Sequence, residues 1–361
     1  MAYTTIDDPT KFFSTTLWVG DDTSPRTLTG FGHQPDFVWA RYRDSGSLNH
    51  VLTDSVRGGD KMVFSNTNAA EDTKSHGEIT SFNSDGITVA DGTNSTYPRL
   101  YFNDDDPFGG GTAGNYVGWS WKGGGTAVSN GDGDITSTVS ANTTAGFSIV
   151  TYTGNGSSGA TVGHGLGVAP EVVLIKKRNG GDPWTMLHPN VQATKYMRLD
   201  TDTGEVNDNV FYNTRAGNDV FTVDSDGQVN GNGDTFVAYC FKKKNGFFTT
   251  YEYTGNGSTN GPFLYTGFKP AFVIIKRKTS TNDWFMFDNK TSPINTTNAY
   301  LRANTNGAAG SYDWLDFVSN GIKIRNTSSG ANSNNETYLV FAWAEEPLVA
   351  NVGQSIPATA R

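Results

Sequence analysis

One short pattern occurs three times in this chain, and it limits the fold more than any other feature. A glycine stands three residues before a proline, a four-residue apolar run follows, and basic or polar residues close it. The copies are Gly32 to Pro35 with Phe37-Val38-Trp39-Ala40 and Arg41-Tyr42-Arg43; Gly167 to Pro170 with Val172-Val173-Leu174-Ile175 and Lys176-Lys177-Arg178; and Gly267 to Pro270 with Phe272-Val273-Ile274-Ile275 and Lys276-Arg277-Lys278. A run this short and this rich in β-branched residues predicts a buried strand rather than a helix. Proline suits the start of such a strand because it cannot donate to a ladder, and the glycine before it permits a tight turn.

Other blocks travel with this strand in constant order. Each copy opens on a strand such as Gly146-Phe147-Ser148-Ile149-Val150-Thr151-Tyr152. After the proline strand come Lys61-Met62-Val63-Phe64, Lys195-Tyr196-Met197-Arg198 and Ala299-Tyr300-Leu301-Arg302. A hairpin is predicted next, turning on Asp85-Gly86, Asp226-Gly227 and Asn320-Gly321, pairs that supply positive backbone angles. Each copy ends on an aromatic strand: Tyr116-Val117-Gly118-Trp119-Ser120-Trp121, Phe236 to Phe241, Tyr338 to Trp343. Its period of two puts large rings on one face and small residues on the other. No stretch reads as an amphipathic helix. The expected class is all-β, with three tandem repeated β-sandwich or jelly-roll domains. The boundaries read as an N-terminal arm (1–10), domain 1 (11–122) with an insertion (91–114), a linker (123–145) whose second part, Ile135 to Asn142, alternates and reads as an added edge strand, domain 2 (146–244), domain 3 (245–347) and a C-terminal tail (348–361). The arms are expected to be free or to dock on a neighbouring subunit. Domains 2 and 3, with no spacer between them, are expected to be held together more closely than domains 1 and 2.

Composition narrows the function. A net charge of -9 argues against nucleic acid, which requires a basic face. The single cysteine, Cys240, permits no internal disulfide and reads as a small buried hydrophobe. No signal peptide opens the sequence and no apolar run approaches a membrane span.

Catalytic signatures are missing. The five histidines lack zinc spacing, no Gly-x-Ser-x-Gly elbow occurs, and Glu345 and Glu346, adjacent on a strand end, are expected to point apart. The expectation is therefore no enzyme. Asp104, Asp105 and Asp106 in the insertion are candidate oxygen ligands for calcium, against the alternative of a solvated acidic loop and no cofactor. Trp184 and Trp284, at the same place in copies two and three, and Tyr97 and Tyr101 in the insertion, are candidate sugar-stacking rings. A tryptophan recurring at one internal position equally fits a packing role.

Across these motifs, with Asp54-Ser55-Val56-Arg57-Gly58, His164-Gly165-Leu166-Gly167-Val168-Ala169-Pro170 and Trp119-Ser120-Trp121-Lys122-Gly123-Gly124-Gly125, the chain resembles a family of repeated β-domains in virion structural, tail-fibre-like proteins of marine tailed phages. The resemblance implies a lectin-like sandwich on the virion surface, assembled in the host cytoplasm. A tail fibre, spike or head appendage binding host-surface glycans is the leading expectation. A decoration or connector protein with a purely structural role is the alternative, and a glycan depolymerase the least expected. Other virion proteins are the implied partners, and a homo-oligomer, a trimer, is the common form of such parts.

Overall fold

The computed structural model describes residues 4–44, 46, 48–109, 111 and 114–348. Strands dominate, and the helical content is one 3₁₀ turn, Pro9–Lys11, and one short helix, Gly227–Asn230. In every copy the closing strand lies between the opening strand and the proline strand, antiparallel to both. Asn115–Trp121 is flanked by Phe13–Val19 and Phe37–Tyr42, Thr235–Phe241 by Phe147–Thr153 and Val172–Lys177, and Thr337–Pro347 by Phe248–Thr254 and Phe268–Arg277. Copies one and two build six-stranded sheets on this centre. Copy three curls eight strands into a near-barrel.

The period of two in the closing strands separates two cores. Their small residues, such as Ala238 and Cys240, and one ring at the start of each strand, Tyr116, Phe236 or Tyr338, face a core private to one copy, while the remaining large rings face a fourth core built from all three copies. Trp121, Phe241 and Trp343 occupy equivalent positions there and meet edge-on as a triangle, with centroids 6.1, 5.6 and 5.4 Å apart. Edge-to-face packing is a favoured geometry for aromatic rings. It gives the molecule an axis of approximate threefold symmetry inside one chain.

Three equivalent seams close the ring. The backbone N–H groups of Glu71, Glu205 and Ala309 donate to the carbonyls of Arg178, Lys278 and Arg43 in the following copy, at 2.7, 2.9 and 2.8 Å. A buried cation then ties each copy to the one before it. Lys176 donates to the carbonyls of Asn68 (3.0 Å) and Asp182 (2.7 Å), and Lys276 to those of Asp202 (2.7 Å) and Asn282 (2.5 Å). Arg41 does the same for the first copy, reaching Asn306 (2.7 Å) and Leu48 (2.5 Å). Burying a charge is costly unless it is hydrogen-bonded, so these carbonyls must be held in place. The expectation that copies two and three are held more closely than one and two is corrected: all three seams share these backbone and side-chain contacts, and the seam between copies one and two adds the Glu71–Arg178 ion pair at 2.9 Å.

Other expectations change in detail. Asp226 caps the helix Gly227–Asn230 instead of turning a hairpin. In copies one and three the two-residue loops are Ser84-Asp85 and Ser319-Asn320, with the glycine just beyond. That glycine is required by contact: a Cβ on Gly86 would lie 1.9 Å from the Leu28 carbonyl oxygen, and one on Gly321 2.3 Å from that of Leu264. Pro270 sits inside its strand, at a break in register that tolerates its missing N–H. The stretch read as a linker contributes two strands, Val128–Asn130 and Ser137–Asn142, to the sheet of copy two. The N-terminal arm docks on its own chain: Ile6 enters the shared core and the Thr4 hydroxyl donates to the Asn245 carbonyl at 2.7 Å. The tail from residue 349 onward lies outside the described residues.

Candidate functional site

Two of the sequence candidates serve the ring. Trp184 and Trp284 are wholly buried in the shared core, so neither ring has a face for a sugar. Their indole N–H groups stitch seams: Trp184 donates to the Phe64 carbonyl at 2.7 Å, and Trp284 to those of Arg198 (2.9 Å) and Thr201 (3.2 Å). Strand register puts His50 at this place in copy one, two residues before Leu52, which pairs with Trp39 as Met186 pairs with Leu174 and Met286 with Ile274. Burial drives the His50 pKa well below the ordinary range, while the Arg302 backbone of the third copy acts in the opposite sense. The Asp54 to Gly58 motif is also a seam. Asp54 and Arg57 form a fully buried ion pair at 2.6 Å, to which the Tyr239 hydroxyl of copy two donates at 2.8 Å.

The insertion is a plug over the core of copy one. Leu100, Tyr101 and Phe102 are buried there. Tyr101 is thus not the exposed ring expected from sequence; burial pushes its hydroxyl up to about 12. Tyr97 is exposed. Asp104 and Asp105 gather with Asp22 so that one oxygen of each lies within 4.8 Å of the others. Burial, then the charges of Asp22 and Asp105, raise the Asp104 pKa. Asp106 instead accepts from the Gly111 N–H at 2.7 Å. The acidic trio therefore joins two distant stretches rather than the Asp104-Asp105-Asp106 run. Glu345 and Glu346 do not point apart: both reach Lys269, at 3.4 and 3.6 Å. The register break beside Pro270 leaves Glu345 as an extra residue between Ala344 and Glu346, which defeats simple alternation. The four histidines other than His76 are buried, and burial takes His33 down to about 4 and His188 to about 3. Cys240 is buried, with its thiol pKa raised.

The open aromatic site lies in copy three. Phe285, Tyr300, Arg302, Tyr312 and Trp314 line a cleft of about 490 Å³, with the hydroxyls of Ser311, Thr327 and Ser328 at its rim. Phe285 and Trp314 form the floor, 4.4 Å apart, with Tyr300 5.3 Å and Tyr312 5.9 Å from Trp314. Tyr312 is half exposed, at 52%. Arg302 lies 5.2 Å over Tyr300 and 5.7 Å over Phe285, pairs with Asp283 at 3.1 Å and donates to the Tyr300 hydroxyl at 3.2 Å. Gly330 makes room, since a Cβ there would lie 2.4 Å from the Phe285 ring and 2.8 Å from that of Trp314. The Trp314 indole nitrogen is buried and has no acceptor among the described residues.

The same place is filled in the other copies. In copy one Met62 and Phe64 stand for Tyr300 and Arg302, and Tyr101 of the insertion packs on Phe64 at 5.7 Å. In copy two Tyr196 and Arg198 repeat the pair, with the arginine donating to the tyrosine hydroxyl at 2.6 Å, but Val206 and Gln228 cover the ring, which is fully buried. Only in copy three does a half-buried ring remain open to one side. Copy two carries an aromatic pair, Phe211-Tyr212, in the same interval, with Phe211 buried in its private core, so the aromatic residues of Ser311-Tyr312-Asp313-Trp314 gave no signal of their own that the place stays open in copy three. The cleft can stack flat apolar faces and exchange hydrogen bonds, but its lining holds no carboxylate, histidine or thiol.

Fold and site together define a ring-closed, three-repeat all-β protein with an open aromatic cleft in its third copy. Residues 8–347 match the model of the family described as Domain of unknown function (DUF7483), and the chain belongs to that family. No curated protein and no solved structure matches it.

Proposed function

We propose that the protein is a non-catalytic adhesion module on the surface of a phage virion, and that it holds host-surface glycan in the aromatic cleft of its third copy. The cleft carries the adhesion half of this reading. Pyranose rings present flat C–H faces that suit Tyr300 and Tyr312, set over the buried floor of Phe285 and Trp314, with the rim hydroxyls placed to take sugar hydroxyls. The virion half rests on the resemblance in the repeated motifs, as do assembly in the host cytoplasm and contact with other virion proteins. Each copy, with its private core between facing strands, is read as a lectin-like sandwich fused to its neighbours through the shared core. The reading needs no cofactor. Threefold packing is met within one chain, so the proposed form is a monomer where the sequence pointed to a homotrimer.

The test is a glycan array probed with the full chain and with Tyr312→Ala, an exposed substitution that leaves the floor intact. Retained sugar signal in the variant, or none in the parent, overturns the adhesion reading. Antibody labelling of intact virions by electron microscopy tests location, and absence of label overturns the virion reading. The decoration or connector alternative drew on arms that clamp neighbours, and the N-terminal arm, spent on its own chain, no longer supports it.

A further inference from the structure

We propose that the gap between Phe248–Thr254 and Phe263–Tyr265 in the third copy is a docking groove for one extended segment of a partner polypeptide, negatively charged at its C-terminal end. The argument starts in copy two, where the chain fills the equivalent gap itself. Ser137–Asn142 runs antiparallel along Phe147–Thr153, from Ser137 opposite Tyr152 to Asn142 opposite Phe147. Its other edge pairs with Val128–Asn130 over Ser137 to Val139, and just before it Ile135 bridges Val162 in the strand Ala160–Gly163, while the Ser137 hydroxyl donates to the Gly163 carbonyl at 2.8 Å. That segment is a stave closing the wall between two edge strands.

Copy three has no such stave, because the chain passes straight from the closing strand of copy two into Gly246. It makes only the last rung: Lys244 and Phe248 exchange N–H···O bonds, both at 3.0 Å, as Asn142 pairs with Phe147 in copy two. Backbone groups of alternate residues in an antiparallel strand point to the same side. Thr250 and Glu252 therefore present N–H and C=O toward the gap, where no backbone partner meets them among the described residues. A groove of about 230 Å³ lies at the Phe248 end of the gap, with Thr249 and Tyr251 on one wall and Tyr265 to Gly267 on the other, crossed by one tie, the Tyr251 hydroxyl donating to the Tyr265 carbonyl at 2.9 Å. An unpaired edge of this kind is a template for strand addition.

Charge fixes the character of the occupant. An antiparallel strand laid along Phe248–Thr254 brings its C-terminal end to Phe248, where Lys243 and Lys244 line the groove. The exposed Lys243 ammonium forms no ion pair among the described residues. Glu252, exposed at mid-edge and paired to Lys278 at 2.9 Å, disfavours acid farther along, so the negative charge belongs at the end. At the other mouth Phe263 and Tyr265 are exposed on the same strand and offer apolar contact.

The stave supplies the probe. A labelled peptide of residues 134–142, as free acid and as C-terminal amide, is titrated into the full chain by fluorescence anisotropy, and amide hydrogen exchange locates it. The expected result is saturable binding of the free acid with new protection at Thr250 and Glu252. Binding should weaken about threefold on amidation and on Lys243→Ala, the scale of one screened charge pair, and be unchanged in Tyr312→Ala, which separates it from the glycan cleft. No saturable binding, protection only elsewhere, or indifference to both charge changes overturns the proposal. So does binding that appears only after residues 349–361 are removed, since the groove would then belong to the chain's own tail.

Discussion

Replacing Trp284 by phenylalanine tests whether the shared core holds the copies together. The substitution keeps one aromatic ring in place but removes the N–H that reaches the Arg198 carbonyl at 2.9 Å and the Thr201 carbonyl at 3.2 Å across the seam. A buried polar group left without its partner costs about 1–3 kcal/mol. The smaller ring leaves unfilled volume in a site that is fully buried, for about another 1–2 kcal/mol. Trp284→Phe should thus lose about 2–5 kcal/mol. Urea unfolding followed by far-ultraviolet circular dichroism and by tryptophan emission measures it. Because Trp121, Phe241 and Trp343 join the three copies at one point, both probes should report a single transition, in parent and variant alike. A loss below about 0.5 kcal/mol, the range of ordinary surface substitutions, would refute the seam role. Two separated transitions would refute the shared core as the source of cohesion.

Three further outcomes are expected. Burial takes Lys276 from 10.5 down to about 7 and Lys176 to about 8, so between those values and 10.5 the unfolded chain binds more protons than the folded one. Their contribution to stability therefore rises with pH and falls as pH drops through the folded values; thermal melts should shift upward from pH 7 to 9, and Lys276→Met should flatten that slope. Gly86→Ala should cost about 1–3 kcal/mol because its Cβ meets the Leu28 carbonyl, whereas Gly227→Ala, with nothing within 4 Å, should stay within about 0.5 kcal/mol; chemical denaturation of the pair decides. Sedimentation equilibrium should return the mass of one chain, 38.9 kDa, and a species three times heavier would refute the proposed monomer.

The periodicity of the closing strands made their two faces legible from sequence, and the recurring Pro strands made the repeat legible. What lay opposite the large rings was not, because alternation says which residues share a face and nothing about what packs across from it. A ring facing a second sheet and a ring facing two other repeats look identical along the chain. His50 shows the limit from another side: it stands where the other copies carry tryptophan, and only the strand register reveals the equivalence. Lys176, Lys276 and Arg41 were visible as the polar ends of apolar runs, yet a basic residue after a strand is ordinarily solvated, so their burial at seams required the fold. The cleft was missed because Phe285, Tyr300 and Trp314 come from three separate strands, which become neighbours only when Trp284–Asp288, Thr297–Arg302 and Gly310–Val318 pair side by side in the sheet.

A ring assembled from three separate identical chains must display every loop three times. Here the three sectors share one covalent backbone, and each has gone its own way: one carries the insertion plug, one the stave, one the open cleft. One chain consequently offers one copy of each of these surface features. Any strengthening through multiple attachment has to come from the number of molecules arrayed together, and not from the symmetry of a single one.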